Sequence, residues 1–209
     1  MHPNLTIVDN PLSRHHMTIL RDKATGPDAF RTATRRLATT LAYEAARDWE
    51  VEEFTVETPL ESSAGERIAK GIVAVAVLRA GLGLLEGLTR QIPDLKVGYV
   101  GLFRDEETAQ PQEYYTKLPD LGDQYVLVLE PMLATGGSLS WAIDKVKAGG
   151  ATDITALVVC AAPAGVERMA EDHPDVRIIT AAVDRELDYR FYIRPGLGDM
   201  GDRLFGTTG

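Results

Sequence analysis

The segment Val126-Leu-Val-Leu-Glu130-Pro-Met-Leu-Ala-Thr135-Gly-Gly-Ser138 ends an apolar run on a carboxylate, then passes through small residues and hydroxyls into a helical pattern. Backbone N–H groups at a helix start, joined by the Thr135 and Ser138 hydroxyls, make a cradle for an anion. Gly136 and Gly137 let the main chain approach that anion with no Cβ in the way. The segment has neither the G-x-x-x-x-G-K-[ST] nor the G-x-G-x-x-G spacing of the common nucleotide loops. A carboxylate directly ahead of an anion cradle suits a sugar phosphate, the acid accepting from ring hydroxyls while the loop holds the phosphate. Taken alone, the pattern also describes a plain strand-to-helix turn capped by Thr or Ser.

Such residues need elements that bring them to one place. Ile72–Leu78 reads as a continuous apolar strand, followed by the turn Arg79-Ala-Gly-Leu-Gly83 and a helical stretch Leu84–Gln91. Lys96–Phe103 and Tyr125–Leu129 read as further strands, and the glycine turn after the latter opens a helix through Lys147. Ile154–Ala161, Ala164–Ala170 and Val176–Ala182 continue the rhythm as strand, helix, strand. Apolar strands alternating with helices predict an α/β fold whose parallel sheet is buried on both faces. Ahead of it, Thr25-Gly-Pro-Asp28 resembles a capping box that starts a first helix. That helix carries Phe30, Ala33, Leu37, Leu41 and Ala45 on one face, and Arg31, Arg35 and Arg36 on faces open to solvent or another subunit. Val51–Pro59 reads as a half-exposed strand.

Two stretches break the rhythm. Arg104–Asp120 is polar and carries Pro111, Tyr114, Tyr115, Lys117 and Pro119, the composition of a lid or other functional loop, or of a disordered one. The piece from Asp188 to Gly209 is irregular and dense in Gly, Asp and Arg. In an α/β sheet, ligands sit beyond the carboxyl ends of the strands; both stretches and both glycine turns follow strands and are expected to converge there.

Composition sets the outer limits. The 209 residues carry 22 Lys and Arg against 31 Asp and Glu, a net charge of −9. That balance disfavours nucleic-acid or anionic-membrane surfaces, yet leaves room for an anionic substrate held by a few local cations. The single Cys160 excludes an intrachain disulfide and lies in an apolar run, as a small core residue would. His2, His15, His16 and His173 have no metal-ligand spacing and read as surface or interface residues. No secretory leader is visible, and no apolar run approaches the ~20 residues of a membrane span, so a cytoplasmic protein is expected.

Glu130–Ser138 resembles the phosphoribosyl pyrophosphate (PRPP) loop of the type I phosphoribosyltransferases, and its form P-M-L-A-T-G-G-S resembles that of the uracil phosphoribosyltransferase family. Four further segments match in order: Pro11–Arg31, Leu78–Gly83, Gly101–Thr108 and Tyr192–Thr207. The resemblance implies a type I phosphoribosyltransferase-like twisted parallel sheet in a single domain, with a lid loop at 104–120 and a uracil-binding hood at 183–209. It implies transfer of a phosphoribosyl group from PRPP to uracil, giving UMP and diphosphate with Mg²⁺ carried mainly on PRPP, and it names no protein metal ligand. By the same resemblance, Arg79, Arg104 and Asp199 are the catalytic residues. PRPP contacts fall to Arg79, Arg104, Glu130, Pro131, Met132, Leu133, Ala134, Thr135, Gly136, Gly137, Ser138 and Asp199. Uracil contacts fall to Ile193, Gly198, Asp199 and Met200. A homodimer or higher homo-oligomer is expected. Parts of the family are activated by GTP, an effector that no residue here specifies.

Two residues depart from the family pattern. Glu130 stands where Asp is usual, adding a methylene before the ribose diol, and Met200 stands where Ala is usual, beside the base. No residue is singled out as a general base, so catalysis rests on positioning and electrostatics. A transferase for another base is opposed by Tyr192–Thr207, and a non-catalytic RNA-binding regulator by the net charge and the absence of a basic cluster.

Overall fold

Buried apolar runs set the architecture. The computed structural model describes residues 4–104 and 111–207, apart from the side chains of Arg104 and Pro111. Its first half runs β1 (Leu5–Ile7), α1 (Pro11–Arg21), α2 (Pro27–Ala45), β2 (Val51–Glu57), β3 (Ser62–Ile68), β4 (Gly71–Leu78), α3 (Leu82–Gln91), β5 (Lys96–Arg104) and β6 (Pro111–Lys117). The second half runs β7 (Gln124–Leu129), β8 (Met132–Leu133), α4 (Gly137–Ala148), β9 (Asp153–Ala161), α5 (Pro163–Asp172), β10 (Arg177–Val183), β11 (Glu186–Leu187), β12 (Ile193–Arg194) and α6 (Met200–Phe205).

The main sheet has the order β1-β10-β9-β7-β4-β5-β6, with β8 added alongside β9. Every pair is parallel except β5–β6. Its central strands lack polar alternation because both faces are covered. Ala74, Ala76, Leu127 and Leu129 face one layer, with Leu20 of α1, Phe30, Leu37 and Leu41 of α2 and Leu84 and Leu88 of α3. Val73, Val75, Val126 and Val128 face the other, with Leu139, Ile143 and Val146 of α4 and Val166 and Met169 of α5. Each large side chain so buried contributes about 1.5–3 kcal/mol, and the two layers together fix the register of the sheet. Cys160 is fully buried in this core, as its apolar surroundings predict.

The structure departs from the sequence expectations at several points. A helix precedes the one expected: Asn10 caps α1, its side chain accepting from Ser13 N at 2.9 Å. The capping box at Thr25–Asp28 does not form. Gly26 caps α2 without a side-chain bond, and Thr25 Oγ1 instead donates to Ile19 O at 2.7 Å, closing the turn back onto α1. Val51–Pro59 contributes β2, which pairs only with β3 in an arm separate from the main sheet and exposed along most of its length. The stretch Arg104–Asp120 contains β6, antiparallel to β5, while residues 105–110 lie outside the described residues.

Charged and titratable groups also differ from expectation. Arg31 donates to Leu204 O at 2.9 Å and Arg35 to Glu86 Oε1 at 3.0 Å, so both tie α2 to neighbouring helices within the chain. His16 and His173 are only 7% and 3% exposed. His16 lies on the core side of α1, where burial lowers its pKa. His173 follows α5 and meets Ser140 Oγ at 3.1 Å.

Candidate active site

β4 and β7 are neighbours, with Ala76 opposite Leu129, so the turns that follow them emerge side by side at the carboxyl edge of the sheet. After β4 comes Arg79, joined to Leu78 by a cis peptide bond. The turn closes when Gly81 N donates to Val77 O at 2.9 Å. Gly81 is required by close approach: a Cβ there would stand 2.5 Å from Leu129 O and 2.7 Å from Val77 O. The Arg79 side chain leaves this turn half exposed. Its Nη2 lies 3.0 Å from Asp202 Oδ1, and its Nη1 donates to Thr207 Oγ1 at 3.2 Å. Thr207 Oγ1 in turn donates to Asp202 Oδ1 at 2.6 Å, closing a triangle on α6.

After β7 comes Glu130, whose carboxyl is pushed up to about 8 by burial, against the opposing pull of the Met132 N–H. The residue is half-buried, and with protein packed around the carboxyl the loss of hydration dominates. The next residues are strapped to β9. Pro131 O accepts from Val159 N at 2.9 Å and Cys160 N at 3.0 Å, and Leu133 O accepts from Ala162 N at 2.8 Å. This strap was not legible as a strand, because β8 is two residues long and follows a proline.

Beyond the strap the chain opens. Gly136 has φ +82° and caps α4 with no side-chain bond, leaving the first N–H groups of the helix without a side-chain acceptor. Uncapped donors of this kind, beside the Thr135 and Ser138 hydroxyls, are able to bind an anion. α5 supports it from beneath. A Cβ at Gly165 would stand 2.6 Å from Ala134 O, and Arg168 lies along the loop, its Cδ 3.2 Å from a would-be Cβ at Gly136. Arg168 Nε donates to Asp172 Oδ2 at 3.1 Å. Nothing in the sequence marks this arginine, which sits in an ordinary amphipathic helix with no local pattern tying it to the loop.

The C-terminal segment forms the third wall. β11 and β12 pair antiparallel, and the turn between them is organised by Asp188, which accepts from Arg190 N at 2.9 Å and Tyr192 N at 3.0 Å. A cleft of about 320 Å³ opens here, lined by residues including Tyr189, Tyr192, Ile193, Pro195 and Gly198. Asp199 then caps α6, its side chain accepting from Asp202 N at 2.8 Å. Met200 is 2% exposed and packs into the core with Leu197 and Leu204.

The structure therefore brings Arg79, Glu130–Ser138, Ile193 and Gly198–Met200 to one edge of the molecule. Arg104 ends β5, next to β4, and its side chain lies outside the described atoms. Among the described residues, no group of three or more His, Cys, Asp or Glu is placed to hold a metal ion, and no helix is long and apolar enough to cross a membrane.

The family model for uracil phosphoribosyltransferase matches residues 7–207. The uracil phosphoribosyltransferase of Salinibacter ruber is 49% identical over 205 residues, covering 98% of each chain. That of Thermus thermophilus is 47% identical over 205 residues, covering 97% of this chain and 99% of its own. A solved structure of a protein from Aquifex aeolicus superposes with a TM-score of 0.93 at 36% identity, covering 98% of this chain and 99% of that one. A hypoxanthine-guanine phosphoribosyltransferase from Bacillus anthracis aligns with a TM-score of 0.51 at 15% identity, over 76% of this chain and 80% of that one, a likeness of fold alone.

Proposed function

The chain belongs to the uracil phosphoribosyltransferase family, and from that premise we propose how its residues divide the conversion of uracil and PRPP to UMP and diphosphate. The observation that carries the assignment is the meeting of three walls: the Arg79 turn, the Glu130–Ser138 loop and the segment Ile193–Met200. Arg79, with Arg104, neutralises the diphosphate as it leaves. The N–H groups and hydroxyls of Thr135–Ser138 hold the 5′-phosphate, and the strapped residues Pro131–Ala134 keep that loop rigid. Glu130 accepts from the ribose hydroxyls. Main-chain groups of Ile193 and Gly198–Met200 read the compact N–H and C=O edge of uracil, and Asp199 stands between base and PRPP. Uracil N1 then displaces diphosphate at the anomeric carbon through an oxocarbenium-like state, with charge and position doing the catalytic work.

Mg²⁺ carried on PRPP fits this donor set. Glu130 is a half-buried carboxyl that accepts from the Met132 N–H, and once ionised its hard oxygens suit Mg²⁺ or the hydroxyls it orients. When bound, the ion neutralises diphosphate charge and orients the leaving group. Glu130 and Asp199 are the residues that would face it.

The reading is tested by incubating the protein with PRPP, Mg²⁺ and each candidate base and measuring nucleotide formed. UMP from uracil is expected. Turnover of orotate, hypoxanthine or adenine without turnover of uracil overturns the base assignment.

Glu130 gives a pH signature. With its pKa near 8, the carboxyl of the empty site is protonated at neutral pH, while the ribose diol calls for the anion. PRPP binding below that pKa must therefore expel a proton. The KM for PRPP should fall as pH rises from about 6.5 to 8, by at most about tenfold per unit, and level off above. Glu130→Gln should remove this dependence at a uniformly higher KM. The stability sign is opposite: a raised carboxyl pKa favours the folded state below the ordinary value of 4.5, and that advantage is lost as pH rises through about 8. Empty Glu130→Gln should accordingly melt above the parent at about pH 8.5, with the gap closing toward pH 5. Equal pH profiles for parent and variant would remove Glu130 from the substrate site.

A further inference from the structure

The main chain just ahead of Gly198 is held by three charged side chains, none of them in the cleft. Gly196 N donates to Asp184 Oδ2 at 2.8 Å, and Gly196 O accepts from Arg21 Nη1 at 2.9 Å. Leu197 O accepts from Arg203 Nη1 at 2.7 Å. Behind these contacts, Arg21 and Asp184 pair fork to fork, Nη1 to Oδ2 and Nη2 to Oδ1, both at 2.7 Å. The Asp184 side chain is only 6% exposed and also accepts from Cys160 Sγ at 3.2 Å. Arg203 reaches the same helix end as Arg21: it donates to Leu20 O and, at 2.6 Å, to Asp22 O, over the ring of Phe30. Consecutive peptide groups of the 196–197 segment are thus bolted to the C-terminal end of α1. Arg21 and Asp184 stand 163 residues apart in the chain.

We infer that Arg21 and Asp184 are positioning residues for base recognition, which fix the Ile193–Met200 main chain in its uracil-reading shape before the base arrives. The inference rests on the reading above that this segment reads uracil. A side chain that meets a ligand can change rotamer to recover a lost contact, but a peptide group cannot. Selectivity read by main-chain N–H and C=O groups therefore depends on how rigidly the loop is held, and an error of about 1 Å can cost about 100-fold. The Arg21–Asp184 fork supplies that rigidity, because two parallel bonds fix orientation as well as distance. Desolvation makes the fork stringent: removing one partner leaves a buried charge facing the loop. The 5′-phosphate and diphosphate contacts are on other walls, attached to β4 and β7, and only Asp199 among the PRPP contacts lies in the held segment, so the fork acts chiefly on one substrate.

The test is steady-state kinetics with both substrates varied. Asp184→Asn keeps the volume and one acceptor but breaks the charged fork; it should raise the KM for uracil about 10- to 30-fold and leave the KM for PRPP within about threefold. Arg21→Lys keeps the charge and loses the fork, so it gives a foldable second variant, expected to raise the uracil KM about fivefold with the same asymmetry. Both should also turn over cytosine relative to uracil better than the parent does. Gly198→Ala, at φ +83°, perturbs the reading segment itself and serves as reference. If Gly198→Ala raises the uracil KM while Asp184→Asn and Arg21→Lys leave it unchanged, the positioning role is wrong. A proportionate rise in both KM values also overturns it, because a general loss of structure has no reason to spare PRPP. If Gly198→Ala itself leaves uracil binding intact, the base-pocket reading has failed and the inference falls with it.

Discussion

Arg79→Ala is expected to lower kcat/KM for PRPP by about 10²- to 10³-fold, the loss typical when a preorganised donor is withdrawn from developing negative charge. The same variant should melt within a few degrees of the parent. Arg79 lies outside the core; its side chain is 54% exposed, and its partners are Asp202 and Thr207 at the rim of α6. An exposed ion pair of this kind contributes about 0–1 kcal/mol, so folding does not depend on it. The separation of the two effects is the diagnostic. A structural arginine would lose stability first and activity in proportion, whereas a diphosphate ligand loses activity alone. Arg79→Lys should fall between parent and alanine, since an ammonium keeps the charge and forfeits the fork that matches phosphate oxygens. Kinetics of Arg79→Ala within about twofold of the parent would take Arg79 out of the site.

Gly136→Val should damage activity and stability together. At φ +82° a side chain costs about 1–2 kcal/mol in the backbone alone, and β-branching adds to it. The space is also filled: a Cβ would press on Gly165 O at 3.2 Å and on Arg168 Cδ at 3.2 Å. Relief requires the loop to move, and with it the N–H groups at the start of α4. We expect kcat/KM for PRPP to fall by at least about 100-fold, because misplaced donors lose their aim. The melting temperature should drop by about 2–12 °C, as expected for a loss of 1–3 kcal/mol in a chain of this size. Gly150→Ala separates the two consequences. Gly150 has φ +94°, but nothing lies within 4 Å of its would-be Cβ, and it is at the far end of α4. It should lose stability and keep full activity; equal loss of activity in the two variants would mean that the loop at Gly136 has no special role.

What could be read from the sequence was whatever repeats within a few residues. The strands that became β4, β7 and β9 announce themselves as unbroken apolar runs because both faces are buried, and Gly136 marks the loop because its φ of +82° favours glycine. The parallel α/β sheet expected from these signals, and the type I phosphoribosyltransferase-like form of it that the motif resemblance implies, are the fold observed. Elements whose signal is not apolar were passed over. α1 shows few large hydrophobic residues and two adjacent histidines, although Asn10-Pro11 carries a sound helix start. β3 is Ser-Ser-Ala-Gly-Glu-Arg-Ile, polar because the arm it forms with β2 has little to bury. β6 hides behind prolines in a stretch that reads as loop. Among site-bearing groups, the loop, Arg79 and Asp199 have local patterns. Asp184 and Arg21 have none, because their partnership exists only once α1 folds against the end of β10.

Gly81 fixes a dimension of the active site. The missing Cβ lets the turn after β4 rest directly on the carbonyl of Leu129, the residue before Glu130. Backbone sits on backbone, with no side chain between the support of Arg79, proposed to meet the leaving group, and the support of Glu130, proposed to meet the ribose. The gap between those two groups is therefore set by peptide geometry, which does not vary from one sequence to another. Core residues on either layer can drift in size, loosening or tightening the helices, without changing the span across which the glycosidic bond must be exchanged. A bond-length measure is thus built into a protein whose packing remains free to evolve.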